Sequence, residues 1–187
     1  MMEIRSIIAS DLPEMHRIYS YYVENTAVTF EYDAPSFQEF SRRIAVVQEK
    51  YPILVAISDG VVLGYAYASI FRPRPAYDWS VETTIYLHPE AKGGGIGRAL
   101  YAKLEEILAL QNVHNLNACI AYPEIADEYL TDASVRFHEK LGYRLIGKFT
   151  NSGFKSGKWY HMVWMEKVIL QHEPSPKPFI PFPDLTV

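Results

Sequence analysis

Glu82 is the one charged residue in a run, Ser80 to Leu87, whose β-branched and apolar content predicts a strand. A carboxylate there is costly unless it is paired or put to use. The use open to it is general-base chemistry, taking a proton from a bound amine directly or through a water. Strand alternation puts Glu82, Thr84 and Tyr86 on one face and Val81, Thr83, Ile85 and Leu87 on the other. Just beyond lies Lys92-Gly93-Gly94-Gly95-Ile96-Gly97-Arg98, between that strand and a helical pattern. Glycines let backbone N–H groups converge on an anion, and a helix N-terminus adds partial positive charge, so a pyrophosphate is the expected ligand. The same glycines would also serve a bare strand-to-helix turn. A dinucleotide fingerprint is the wrong match, because these glycines follow a mid-chain strand near a hairpin. A P-loop is excluded because Gly97-Arg98-Ala99 lacks the required Lys-Ser/Thr end.

Other candidates are more ambiguous. Arg72 and Arg74, stiffened by Pro73 and Pro75, present guanidinium forks suited to oxyanions, or simply a solvated basic loop. His138 stands alone in a helical pattern, where imidazole serves either as an acid or as a structural residue. Cys119, flanked by Ala118, Ile120 and Ala121, is expected to be buried and inert. The other histidines (16, 88, 114, 161 and 172) form no i,i+4 pair and have no cysteine companion, so no metal site is expected.

The positioning elements follow from periodicity. Glu3 to Ala9 predicts a first strand, and Ser10-Asp11 before Leu12-Pro13 a helix start. Leu12, Met15, Ile18, Tyr19 and Tyr22 give that helix one apolar face, and Pro35-Ser36 opens a second helix. Two apolar runs, Ile53–Ile57 and Val61–Ile70, flank Asp59-Gly60 as a hairpin. A long helix follows the glycines. Then come a buried strand over Asn117–Tyr122, a helix over Thr131–Leu141 ended by Gly142, and two strands over Tyr143–Phe149 and Trp159–Ile169 around Ser156-Gly157. Five prolines between Pro174 and Pro183 mark an extended tail, either a floppy terminus or a strap laid on the body, with Phe179, Ile180, Phe182 and Leu185 slightly favouring the strap. The expected division is one domain over 1–170 with a Pro-rich tail over 171–187.

Composition narrows the classes. The chain has 187 residues, 49% hydrophobic and 21% charged, which suits one globular domain rather than a disordered chain. A net charge of −4 provides no basic footprint for nucleic acid. The longest charge-free apolar run, Val61–Phe71, falls short of the roughly 20 residues a membrane span needs. No nucleic-acid or membrane partner is expected, and a single cysteine and no signal-peptide pattern point to the cytoplasm.

The blocks together resemble a known family. Lys92-x-x-Gly95-x-Gly97 is similar to the pyrophosphate loop of the GNAT N-acyltransferases, and Ser134-Val-Arg-Phe-His138-Glu-Lys-Leu-Gly142-Tyr143 to their later motif. Tyr51–Ala56, Ala76–Leu87 and Gly153-Phe154-Lys155-x-Gly157-x-Trp159 resemble, more narrowly, phosphinothricin and methionine sulfone/sulfoximine acetyltransferases. The resemblance implies an α+β fold: a mixed, mostly antiparallel twisted sheet flanked by helices, with splayed central strands. It implies acetyl-CoA as co-substrate, no metal, and a small amine acceptor. Glu82 matches the family's base, and His138 stands where many members keep a tyrosine acid. Ile85, Tyr86, Leu87, Lys92, Gly93, Gly94, Gly95, Ile96, Gly97, Arg98, Thr131 and Ser134 match cofactor contacts, with Thr131 replacing the usual asparagine. Phe30, Arg72, Arg74, Tyr77 and Thr84 fall on the acceptor side. About seven residues, Glu124 to Leu130, are extra relative to the family. A homodimer involving the C-terminal region is implied as well. Acetylation of a polyamine, an aminoglycoside or a protein N-terminus, or CoA binding without turnover, are the competing functions.

Overall fold

The computed structural model describes residues 2–91 and 93–185. Its strands are β1 (Glu3–Ser6), β2 (Ile53–Ser58), β3 (Val61–Ile70), β4 (Ser80–Leu87), β5 (Asn115–Tyr122), β6 (Arg144–Lys155) and β7 (Lys158–Val168). Its helices are α1 (Leu12–Asn25), α2 (Phe37–Gln48), α3 (Ile96–Leu110) and α4 (Ala133–Lys140). The strands form one sheet in the order β1-β2-β3-β4-β5-β7-β6. Every neighbouring pair is antiparallel except β4 and β5, which run parallel. The architecture is α+β, as expected.

Local chemistry sets the boundaries. The first strand stops at Ser6, three residues short of expectation, because the Asp11 carboxylate reaches back. It accepts the Ile8 N–H at 2.8 Å and two bonds from Arg5 at 2.7 and 2.9 Å, curling residues 9–11 into a 3-10 turn. Ser36 caps α2 by accepting the Glu39 N–H at 3.2 Å. Asp59 and Gly60 take positive φ, 52° and 79°, as a two-residue hairpin demands. β6 runs on to Lys155, past the expected Phe149, by absorbing a bulge between Phe149 and Gly153.

Two layers cover the sheet. On one face Met15, Ile18, Tyr22, Phe40 and Ile44 of α1 and α2 pack on Ile53, Val55 and Tyr65. On the other, Leu100, Leu104 and Leu108 of α3 pack on Leu54, Ala66, Val81 and Leu116. Val135 and Phe137 of α4 join that second layer. The proline-rich tail is a strap. Trp79 donates its indole N–H to the Lys177 carbonyl at 2.7 Å, Asn112 donates to Pro178 at 2.7 Å, and Phe179 packs on Tyr51.

Candidate active site

The parallel pairing of β4 with β5 lasts three residues, Ser80 with Asn115 through Glu82 with Asn117, and then stops. β4 continues to Leu87 and β5 to Tyr122 without pairing each other, so a gap opens in mid-sheet. Backbone direction identifies what lines it. The His88 N–H bonds the Leu63 carbonyl of β3 at 2.8 Å, so by alternation Tyr86 and Thr84 direct their backbone groups toward β3. Those of Ile85 and Leu87 point into the gap. The Leu87 carbonyl is taken there by the Tyr22 hydroxyl at 2.8 Å, while its N–H lies on the open side. Tyr86, expected to contact the cofactor, instead packs its ring among Tyr19, Tyr22 and Tyr65.

Glu82 sits at the apex of this gap, half-buried, opposite Ser69 of β3 and Asn117 of β5. Burial raises its pKa above the usual carboxylate value, and the nearby Arg72 guanidinium pulls it partly back. Thr84 follows on the same face, across from Tyr67.

The glycine loop meets the start of α3 beside Ile85. Gly95 is the residue before the helix, at φ 76°, and Gly93 has φ 96°. No side chain caps α3, and no acidic residue occupies its first turn. Its first N–H groups are therefore available to an anion. Gly97 has a second reason to lack a side chain. A Cβ there would come within 3.0 Å of the Phe137 ring and 3.4 Å of Ile85, so Gly97 also lets α3, α4 and β4 close together. Ile96 is buried beneath the loop and Arg98 is exposed, while Lys92 lies outside the described residues.

His138 requires a correction. It is only 3% exposed, with Phe137, Tyr101 and Tyr143 packed edge-on to its ring. The Ser134 carbonyl 2.7 Å from Nδ1 can only accept, so Nδ1 carries the proton and Nε2 accepts from the Tyr101 hydroxyl at 3.1 Å. Desolvation lowers its pKa, so the ring is neutral and both nitrogens are committed. This geometry fits a structural histidine, not an acid poised at the cleft. Thr131 sits just before α4, its hydroxyl accepting the Ala133 N–H at 3.3 Å.

The residues expected on the acceptor side separate into two places. Arg72, Tyr77, Ser80, Asn117 and Trp164 line a cavity of about 520 Å³ on the face that carries Glu82. The Arg72 guanidinium lies over Phe71 and Trp164, 4.5 and 5.4 Å from the ring centres. Arg74 is exposed and does not line this cavity. Phe30 lies beyond the gap, stacked on Tyr160 in a small cluster with Ala27, Ala121 and Leu130. The extra segment is folded by Asp127, which accepts from the N–H groups of Tyr129 and Leu130, from Lys158 and from the Tyr160 hydroxyl. Cys119 is also corrected. It is exposed, two residues past Asn117 on the same strand face, and hemmed enough that desolvation and Glu82 push its thiol up to about 11. Alternation along β5 carried the signal for Asn117 and Cys119, but nothing local told where the pairing stops.

Among the described residues no group of three or more His, Cys, Asp and Glu side chains could hold a metal ion, and no helix is long and apolar enough to cross a membrane. A splayed parallel pair with a glycine loop leading into α3 can hold a thioester carrier and present its acyl group to Glu82. The model of the acetyltransferase (GNAT) domain matches residues 4–164. The chain belongs to the GNAT acetyltransferases. Within them it is 35% identical to the phosphinothricin N-acetyltransferase of Streptomyces viridochromogenes, over 94% of this chain and 92% of that one. It is 28% identical to the L-methionine sulfoximine/L-methionine sulfone acetyltransferase of Salmonella typhimurium, over 91% and 96%. The crystal structure of a GNAT phosphinothricin acetyltransferase from Sinorhizobium meliloti in complex with acetyl-CoA superposes with a TM-score of 0.84. That protein is 32% identical, with 97% of this chain and 98% of the other covered.

Proposed function

We propose that this GNAT protein transfers the acetyl group of acetyl-CoA to the amine of a small amino-acid-like acceptor, of the kind represented by phosphinothricin and methionine sulfoximine or sulfone. The observation that carries the reading is the end of β4–β5 pairing at Glu82, which sets a carboxylate of raised pKa at the apex of the gap. The α3 amides and the Gly93–Gly97 loop hold the pyrophosphate, and the Leu87 N–H, facing the gap, is available to the oxyanion. The acceptor nitrogen attacks the thioester carbon while its proton passes to Glu82, directly or through a water. Collapse of the tetrahedral adduct breaks the C–S bond, and the thiolate leaves as CoA, taking a proton from solvent. Arg72, over the cavity beside Glu82, pairs with an acceptor oxyanion. A CoA-binding protein without turnover has no need of a desolvated Glu82.

The protein is further proposed to act as a cytoplasmic homodimer. Support comes from β6, the last strand of the sheet, where Leu145, Phe149 and Phe154 are exposed, with Trp159 beside them on β7. The deciding experiment follows thiol release from acetyl-CoA with amino acids, phosphinothricin, methionine sulfoximine, methionine sulfone, polyamines and an N-terminal peptide. Turnover fastest with the amino-acid analogues is the expected result. Turnover with polyamine or peptide alone would overturn the acceptor class, and none with any amine would overturn transfer.

A further inference from the structure

Lys155 is a buried amine that the chemistry above does not use. It is 5% exposed, and its Nζ donates to the carbonyls of Val23 at 2.7 Å and Thr29 at 2.8 Å. Glu31 acts on it only through space, and burial lowers its pKa. Val23 lies in the last turn of α1, where carbonyls lack helical partners and a cation is favoured by the helix dipole. The two residues before Lys155 hold the same stretch of chain. The Phe30 ring fills the space a Cβ on Gly153 would take, with its atoms 2.3 to 2.6 Å from that position. The Phe154 carbonyl accepts the Tyr32 hydroxyl at 2.7 Å.

Residues 26–32 span the two sides of the gap. The Thr29 hydroxyl lies 3.5 Å from that of Tyr19, whose ring packs edge-on to Tyr86 of β4, and Ala27 packs with Ala121 of β5. The Ala27 N–H also bonds the Tyr129 carbonyl of the extra segment at 3.0 Å. We propose that Gly153, Phe154 and Lys155 form a seat that fixes residues 23–32 as the acceptor-side wall, with Lys155 a positioning residue that sets Phe30 against the acceptor. The specificity of the enzyme then depends on a contact between β6 and the end of α1, with no atom of Lys155 touching substrate. This rests on the amino-acid acceptor reading above.

Two variants and one background test it. Lys155→Met removes the charge, and Gly153→Ala displaces the Phe30 ring while leaving Lys155 in place. Hydrogen exchange on the free protein should quicken by about tenfold or more over residues 23–32 in both, with α3 unchanged. With the best acceptor found, KM for that acceptor should rise by at least about tenfold while KM for acetyl-CoA stays within about twofold. In a Phe30→Ala background, Gly153→Ala should have no further effect on acceptor KM. Unchanged exchange over 23–32 in both variants overturns the seat, whatever the enzyme acetylates. Faster exchange with unchanged acceptor KM, or equal losses with and without Phe30, overturns the positioning role. A wild type that acetylates no amino-acid acceptor overturns the functional reading instead, and exchange alone then decides the seat.

Discussion

At the scale of single residues, burial moves the pKa values of Glu82 and His138 in opposite directions. Glu82 is half-buried at an opening, and its raised pKa makes it a stronger base than a surface carboxylate. Glu82→Gln should lower kcat by about 10²-fold or more, the usual size of a general-base contribution, with acetyl-CoA affinity unchanged. Only ionised Glu82 accepts a proton, so kcat falls as pH drops through its pKa. The raised value moves this fall to higher pH than an ordinary carboxylate near 4.3 would give. A pH–rate profile in which Glu82→Gln keeps both the wild-type rate and the acid limb would remove Glu82 as the base. His138 is held neutral in the fold, whereas the unfolded chain protonates it below about pH 6.5. The unfolded state therefore binds the extra proton, and stability falls as pH drops from about 6.5 toward the lower folded value. Thermal melts from pH 8 to 5 should show this loss, and His138→Gln should lack its share of it. Glu82 was legible because a charge in an apolar strand is conspicuous. The burial of His138 was not, because it depends on Tyr101 and Tyr143 closing around the ring from α3 and the start of β6.

At the scale of elements, periodicity located the hairpin of β2 and β3, the helix after the glycines and the strand carrying Glu82. What it did not reveal was register. The three-residue contact of β4 with β5 creates the cleft, yet both strands look continuous in sequence. The glycine loop has a similar hidden layer, because packing against Phe137 would hold Gly97 to glycine whether or not an anion binds the loop. An acidic substitution at Gly97 would confound packing with charge. Gly94 separates them: its φ is not positive, and among the described residues a Cβ there meets only Ile96, at 3.9 Å. Gly94→Asp should keep the wild-type melting temperature without ligand and weaken acetyl-CoA binding by at least about tenfold, since a charge faces the helix N-terminus where the pyrophosphate would lie. Calorimetry checks both, and equal affinity would rule the loop out as the phosphate site.

At the scale of the whole molecule, the tail and the outer edge of the sheet differ in how their apolar residues are covered. Sequence reading grouped them, since both are rich in aromatic or proline residues and both follow the cofactor segments. The tail is spent on its own chain: Phe179, Phe182 and Leu185 pack on the core, and the Ile180 N–H bonds the Gln111 carbonyl at 3.1 Å. β6 is covered by its own chain near its end, where Phe30 and Tyr32 meet Gly153 and Phe154. Among the described residues it pairs only with β7, and its first half, residues 144–149, exposes Leu145 and Phe149, with Trp159 of the adjoining strand 61% exposed. An edge with such apolar side chains is the surface a second copy would cover. Light scattering at micromolar concentration should give about twice the 21.5 kDa chain mass, and a mass near 21.5 kDa would exclude the dimer. Truncation after His172 should lower the melting temperature, because it removes the strap from α3 and Tyr51, yet leave the doubled mass. Leu145→Arg should do the reverse, halving the mass with little change in the melt of the monomer. A truncated chain that becomes monomeric would return the tail to the interface and take β6 out of it.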